Sequence, residues 1–126
     1  MERRSFGSWG SPISASRIAE SSVRLTQVSV HGGDIYWVET RPNEKAREVV
    51  IRHRDGEARE LTGENQSVRT LVHEYGGRSY TICSGRLVFS ELRSQGLFIQ
   101  DGSAAACALG TAEGTRYADH HADSRR

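Results

Sequence analysis

The stretch that decides the fold is Arg47-Glu48-Val49-Val50-Ile51-Arg52-His53-Arg54-Asp55-Gly56-Glu57-Ala58-Arg59-Glu60-Leu61-Thr62-Gly63. The branched run Val49-Val50-Ile51 predicts a strand over 47–53, because branched side chains pack well on a pleated surface. Asp55-Gly56 tolerates positive φ and marks a tight hairpin. Ala58 to Leu61 then reads as a short returning strand, closed by Thr62-Gly63. The same order returns downstream as Gly96-Leu97-Phe98-Ile99-Gln100, Asp101-Gly102, and a weak strand over Ala106 to Leu109.

Working outward, each of these hairpins has another before it. Thr26 to Val30 is a strand, His31-Gly32-Gly33-Asp34 a turn, and Ile35-Tyr36-Trp37-Val38-Glu39 a second strand. Arg41 to Ala46, with Pro42 and Asn43, is a loop. In the later unit, Ser79 to Ile82 is a strand, Cys83-Ser84-Gly85 a turn, Arg86 to Ser90 a second strand, and Glu91 to Gln95 a polar loop. Four landmarks thus recur in the same order, about 46 to 51 residues apart. That period, with four strands per unit, is the signature of propeller blades.

The reading is therefore all-β: a partial β-propeller of about two four-stranded antiparallel blades behind a short N-terminal arm with one helical turn or short helix. The arm covers 1–22, blade 1 covers 23–64 and blade 2 covers 65–114. Residues 115–126 are the start of a truncated third blade, with Tyr117 to Asp123 as its first strand. In the arm, Ser11 is a fair helix N-cap and Pro12 suits the first helical position, with an end near Ser21. Two blades cannot bury both of their outer faces, so the chain is expected to be part of something larger or to pair with a partner.

Composition narrows the function. There are 17 basic and 16 acidic residues, for a net charge of +1, which argues against a nucleic-acid footprint. Arg52-His53-Arg54 is a local basic patch, but Glu48, Asp55 and Glu57 flank it, and a solvated strand face is the favoured reading. Cys83 and Cys107 form no C-x-x-C pair and are expected to be buried, reduced thiols. No run approaches the ~18 apolar residues of a membrane helix. The N-terminus has charges without an apolar stretch behind them, so no signal peptide, no membrane partner and a cytoplasmic location are expected.

Two sets of residues resemble a known family. One is Gly7-Ser8-Trp9-Gly10-Ser11-Pro12-Ile13-Ser14, Ser22-Val23-Arg24-Leu25, Gly33-Asp34-Ile35-Tyr36-Trp37 and Glu39 with Arg41-Pro42. The other is Asn65, Val68-Arg69-Thr70, Val72-His73-Glu74-Tyr75-Gly76-Gly77, Val88-Phe89-Ser90 and Arg116-Tyr117-Ala118-Asp119. Together they resemble the N-terminal propeller region of the prolyl oligopeptidase family of serine peptidases, in its dipeptidyl aminopeptidase and acylaminoacyl-peptidase-like branch. The resemblance implies a propeller that sits over an α/β-hydrolase domain and limits access to small peptides. It also implies that the catalytic Ser, Asp and His lie in that hydrolase. This sequence has no G-x-S-x-G nucleophile elbow, so no catalytic residue is nominated in it, and the chain alone should be inactive.

His73 and Glu74 are the candidate substrate-binding residues. The resembled propellers help line the substrate cavity, and Glu74 could offer a carboxylate to the amino end of a peptide. The competing reading is that both tie a connection between blades, with Gly76-Gly77 supplying positive φ. Asp119-His120-His121-x-Asp123 has metal-ligand residue types. In a strand, however, adjacent histidines face opposite ways, and a frayed end is favoured over a metal site. No metal and no cofactor are expected. Trp37 and Phe89 are expected to pack between blades, with Trp9 pinning the arm, rather than to form a binding platform with Tyr36.

The resulting expectation is a non-catalytic propeller segment, structural and substrate-gating in its parent peptidase. Its partners would be further blades and a hydrolase domain, in the same or another chain, and the parent's peptides. The alternative is a free-standing module that binds a protein through open sheet edges. An autonomous metal-dependent hydrolase is the poorest of the three readings.

Overall fold

The structure, a computed structural model, describes residues 5, 7, 10, 12–14, 17, 22–111 and 113–123. Most of the predicted Ser11–Ser21 helix, and Trp9, lie outside the described residues.

Eight strands form two separate four-stranded sheets, each a simple antiparallel meander. Blade 1 contains β1 (Arg24–His31), β2 (Asp34–Arg41), β3 (Arg47–Arg54) and β4 (Glu57–Glu60). Blade 2 contains β5 (Tyr80–Cys83), β6 (Arg86–Ser90), β7 (Leu97–Gln100) and β8 (Cys107–Gly110). Strand order follows chain order in both. The eight strands predicted for the two blades are present, with ends moved by at most two residues.

The turns explain why the strands fold back where they do. Asp55 and Gly56 both have positive φ (50° and 85°), so β3 returns as β4 with Arg54 opposite Glu57. That is the conformation a two-residue hairpin needs to match strand twist. Asp101-Gly102 behaves differently: β7 ends at Gln100 and β8 begins only at Cys107, so a longer loop replaces the expected tight turn. A further irregularity lies in β1, where the register slips between Thr26 and Ser29 and Gln27 takes φ 54°. This bulge aims the Gln27 side chain at blade 2.

One face of each blade builds the shared core. Tyr36, Val38 and Val50 of blade 1 meet Tyr80, Ile82, Leu87 and Phe89 of blade 2, with Val68 between them. Phe89 and Phe98 stack at 5.8 Å between ring centres. Alternation along β2 corrects one expectation. Tyr36 and Val38 face this core, so Trp37 faces the other way, half-buried, and donates from its indole to Glu39 at 3.1 Å. Phe89 does pack between the blades as expected.

Polar groups join the sheets as well. The Tyr80 hydroxyl donates to the Gln27 carbonyl at 2.7 Å and lies 2.8 Å from Ser29 Oγ. Gln27 Oε1 accepts from the Ser79 amide at 2.9 Å. Within blade 1, Asp34 is almost fully buried and takes a two-pronged contact from Arg54, 2.6 Å on each arm, with Arg52 at 3.4 Å. The Arg54 guanidinium holds the Asp34 carboxyl below its usual range. The basic patch is thus internally neutralised, by an acid the sequence reading had not paired with it.

The faces turned away from the core differ. On blade 1, Leu25, Val28 and Val30 are 58%, 63% and 70% exposed, an open apolar stripe along β1. Beside it Glu39, Arg41, Glu44, Arg47 and Glu60 form a chain of ion pairs. On blade 2, Thr81, Val88 and Ile99 are half-buried. The thiols are more accessible than expected, Cys83 half-buried and Cys107 exposed.

The segment after blade 2 is the clearest correction. Residues 115–123 contain no strand. A strand needs a hydrogen-bonded neighbour, and no described segment pairs with this one as a ladder. Instead it crosses back over the 71–79 connection. No helix among the described residues is long and apolar enough to cross a membrane.

Candidate functional site

The connection from blade 1 to blade 2 carries the candidate residues. It leaves β4 and bridges to blade 2 at Val68 and Glu91. It is tied on both sides: the Val68 amide donates to Glu48 O at 2.7 Å, and the Arg69 amide to Ser90 O at 3.0 Å. Thr70 is buried, and its hydroxyl accepts from the Val72 amide at 3.3 Å. The Leu71 amide donates to the Gln95 side chain at 2.8 Å.

At Val72 the chain turns sharply. The Glu74 amide donates to Leu71 O, and the Gly76 amide to Val72 O, each at 3.0 Å. His73 and Glu74 are both left-handed, with φ 52° and 63°. Left-handed backbone is unfavourable for residues with a Cβ, and such outliers gather at functional sites. Gly76 has φ 81°, and a Cβ there would lie 3.2 Å from the Thr70 carbonyl oxygen, so the turn requires glycine at that position.

The turn presents three side chains outward. His73 and Glu74 are exposed, and Tyr75 is 97% exposed. Among the described residues neither His73 nor Glu74 makes a side-chain hydrogen bond or ion pair with a neighbour. The structure therefore keeps both predicted residues together on one loop. It does not use their side chains to tie the blades, as the architectural reading required. The backbone does that work.

Next to the turn lies a polar cavity of about 200 Å³, lined by Tyr75, Gly76, Arg24, Arg69 and Glu48 among others. Glu48 is 8% exposed, and burial pushes its carboxyl pKa up against the opposing pull of Arg69 and Arg24. Among the described residues its carboxylate accepts a side-chain hydrogen bond from Thr40 Oγ1, at 3.5 Å. The sequence reading took Glu48 only as a charge beside the basic patch. The signal was present, since Glu48 shares a strand face with core residue Val50.

Residues of the Asp119-His120-His121-x-Asp123 run hold the chain to its surroundings. Asp119 exchanges bonds with Arg78: its amide donates to Arg78 O at 2.8 Å, and its Oδ1 accepts from the Arg78 amide at 3.0 Å. His120 Nε2 lies 2.9 Å from Ser90 Oγ. Among the described residues no group of three or more acidic, His or Cys side chains could hold a metal ion. The Ser90–His120 pair has the outward form of a nucleophile and its base. Yet Ser90 is fully buried and its hydroxyl also donates to Tyr117 O at 2.7 Å, so no substrate carbonyl could reach it. What the arrangement can do is bind: an exposed carboxylate, an imidazole and a phenol on a braced loop suit a cationic, partly apolar group.

No family model matches the chain, and no curated protein does. Solved structures do. A Mycobacterium tuberculosis puromycin-hydrolyzing peptidase is 42% identical over 90% of this chain, with a TM-score of 0.81. A puromycin hydrolase mutant complexed with PGG is 29% identical over 90%, with a TM-score of 0.79. A further puromycin hydrolase structure is 28% identical over 94%, with a TM-score of 0.76. The chain spans 19 to 20% of the length of these proteins.

Proposed function

Because the chain belongs by sequence and fold with the propeller of the prolyl oligopeptidase-family peptidases, we propose that it is a non-catalytic propeller segment that helps admit and orient peptides for chemistry carried out elsewhere. In this reading the Val72–Gly77 turn borders the substrate path. Glu74 receives the free amino end of a peptide, and His73 and Tyr75 flank it. The supporting observation is the pair of left-handed residues, His73 and Glu74, with exposed side chains in a turn closed by the Glu74 amide on Leu71 O and the Gly76 amide on Val72 O. A strained turn that leaves the side chains of His73, Glu74 and Tyr75 exposed fits recognition better than architecture.

The test is a peptide titration followed by amide NMR on the chain. An unblocked tripeptide should shift the Val72–Gly77 amides, and its N-acetylated form should shift them far less. Glu74→Gln should abolish the difference. Equal shifts by the two peptides would sink the assignment.

The open stripe of Leu25, Val28 and Val30 on β1 favours a second reading, a module that binds a protein partner through this edge. Light scattering with far-UV circular dichroism separates the two. A monomer with a cooperative thermal transition fits a self-sufficient module. A chain that aggregates until further blades are supplied fits the propeller segment.

A further inference from the structure

We infer that residues 116–120 form a strap that sets the conformation of the candidate turn, with Arg116 and Asp119 as positioning residues for His73 and Glu74. The inference rests on the reading of Glu74 as the amine acceptor, but its structural part can be tested apart from it.

The strap grips the turn at both of its feet. At the leading foot, Arg116 donates from its guanidinium to the Leu71 carbonyl at 2.7 Å. That same carbonyl accepts the Glu74 amide, so one oxygen joins strap and turn. At the trailing foot, Asp119 makes its reciprocal bonds with Arg78, one with its backbone and one with its carboxylate. Between them the contact is close. A Cβ on Gly77 would come within 3.1 Å of Ala118 Cβ and 3.2 Å of the Asp119 carboxylate.

The strap is itself fixed to blade 2. Tyr117 lays its hydroxyl where a Cβ on Gly110 would be, at 2.9 Å. The Tyr117 carbonyl and the His120 ring both bond to the buried Ser90 hydroxyl. Ser90 sits at the end of β6, inside the rigid sheet. Blade 2 therefore holds the strap and the strap holds the turn, by bonds from residues that follow blade 2 in the chain. Residues 40 or more positions apart in sequence thereby fix two left-handed residues that carry no glycine.

Hydrogen exchange of single amides in the full 126-residue chain tests this. The Glu74 and Gly76 amides report on the turn, and the Leu61 amide, bonded to Val50 O in blade 1, is the remote control. Arg116→Ala and Asp119→Ala should each speed exchange at Glu74 and Gly76 by about three- to tenfold, the net worth of roughly one hydrogen bond, and leave Leu61 unchanged. Asp119→Asn, which keeps an oxygen acceptor, should stay near wild type. If the alanine variants do not fold, Arg116→Lys, with a single donor group, should give a smaller acceleration confined to the same two amides. No acceleration at Glu74 and Gly76, or an equal one at Leu61, overturns the inference. Peptide affinity is read separately. If the wild-type chain ignores the unblocked tripeptide, the proposed function fails while the exchange result stands. If it binds, Arg116→Ala should weaken the unblocked peptide and leave the acetylated one unaffected.

Discussion

Tyr80→Phe asks whether the two sheets behave as one body. The ring of Tyr80 is 1% exposed and sits in the core between the blades. Its hydroxyl has one hydrogen, which goes to the Gln27 carbonyl at 2.7 Å. Ser29 must therefore be the donor in its 2.8 Å contact with the same oxygen. Phenylalanine keeps the ring, so no large cavity opens and the transfer term barely changes. What is lost is the partner of a half-buried carbonyl and of a hydroxyl, at a cost of about 1–3 kcal/mol. Ser29→Ala alone removes one bond, about 0.5–1.5 kcal/mol. The double variant should cost less than the two together, by about 0.5–1 kcal/mol, because the serine has already lost its acceptor in the phenylalanine background. Urea melts followed by circular dichroism and by indole fluorescence measure all four corners. Both tryptophans, Trp9 and Trp37, precede blade 2, so coincident curves mean that the sheets unfold together. Additivity within about 0.3 kcal/mol would refute the shared-oxygen argument. Separated curves in the wild type would refute the joint itself.

Other expected outcomes follow from the same geometry. Phe89→Ala empties a fully buried site against Phe98 and should cost about 3–5 kcal/mol, enough to unfold a domain of ordinary stability, read as loss of the thermal transition. Gly76→Ala places a Cβ in left-handed backbone 3.2 Å from Thr70 O; about 1–2 kcal/mol of strain is expected in chemical denaturation, with shifted Val72–Gly77 amides. The strap should respond to acid through His120. Burial lowers its pKa below the ordinary 6.5, while Asp119 and the Ser79 carbonyl pull the other way. Arg78, His31, His121, Cys83 and Asp123 line the same cavity. The unfolded chain thus binds the proton first, so the contribution is complete above about pH 6.5 and falls as pH drops through the folded pKa. The protection of the Glu74 and Gly76 amides relative to their intrinsic exchange rates, measured across that window, should fall with acid in the wild type and stay flat in His120→Gln.

The strands were legible because they alternate, and because glycine or Asp-Gly pairs mark where they turn. Less was legible about which face each residue takes. Ile35-Tyr36-Trp37-Val38 is apolar throughout, so nothing in the string says that Tyr36 faces the core and Trp37 does not. The bulge at Gln27 carries no glycine or proline to mark it. Tyr117 to Asp123 looks like a strand because its residue types would suit one, yet pairing is a property of two segments, and no partner for it lies among the described residues. At the site, Gly76-Gly77 announced a turn. The left-handed state of His73 and Glu74 could not be read, since neither residue favours it. It is imposed from residues far away in sequence, and so is the burial of Glu48.

That imposition can be weighed. Two non-glycine residues in left-handed backbone cost about 1–2 kcal/mol each. Seven hydrogen bonds close on the turn and its feet: those of the Glu74, Gly76 and Asp119 amides, those from Leu71 to Gln95 and from Val72 to Thr70, and those linking Arg116 to Leu71 and Arg78 to Asp119. At about 0.5–1.5 kcal/mol net each, they offset the strain with some excess. Only part of that excess is local. Without the strap bonds, the turn would be left with four bonds against two strained residues, close to balance. A turn near balance samples other conformations, and its side chains lose their fixed direction. The strap therefore matters less for whether the blades fold than for whether His73 and Glu74 hold one orientation, which is the property a recognition loop needs.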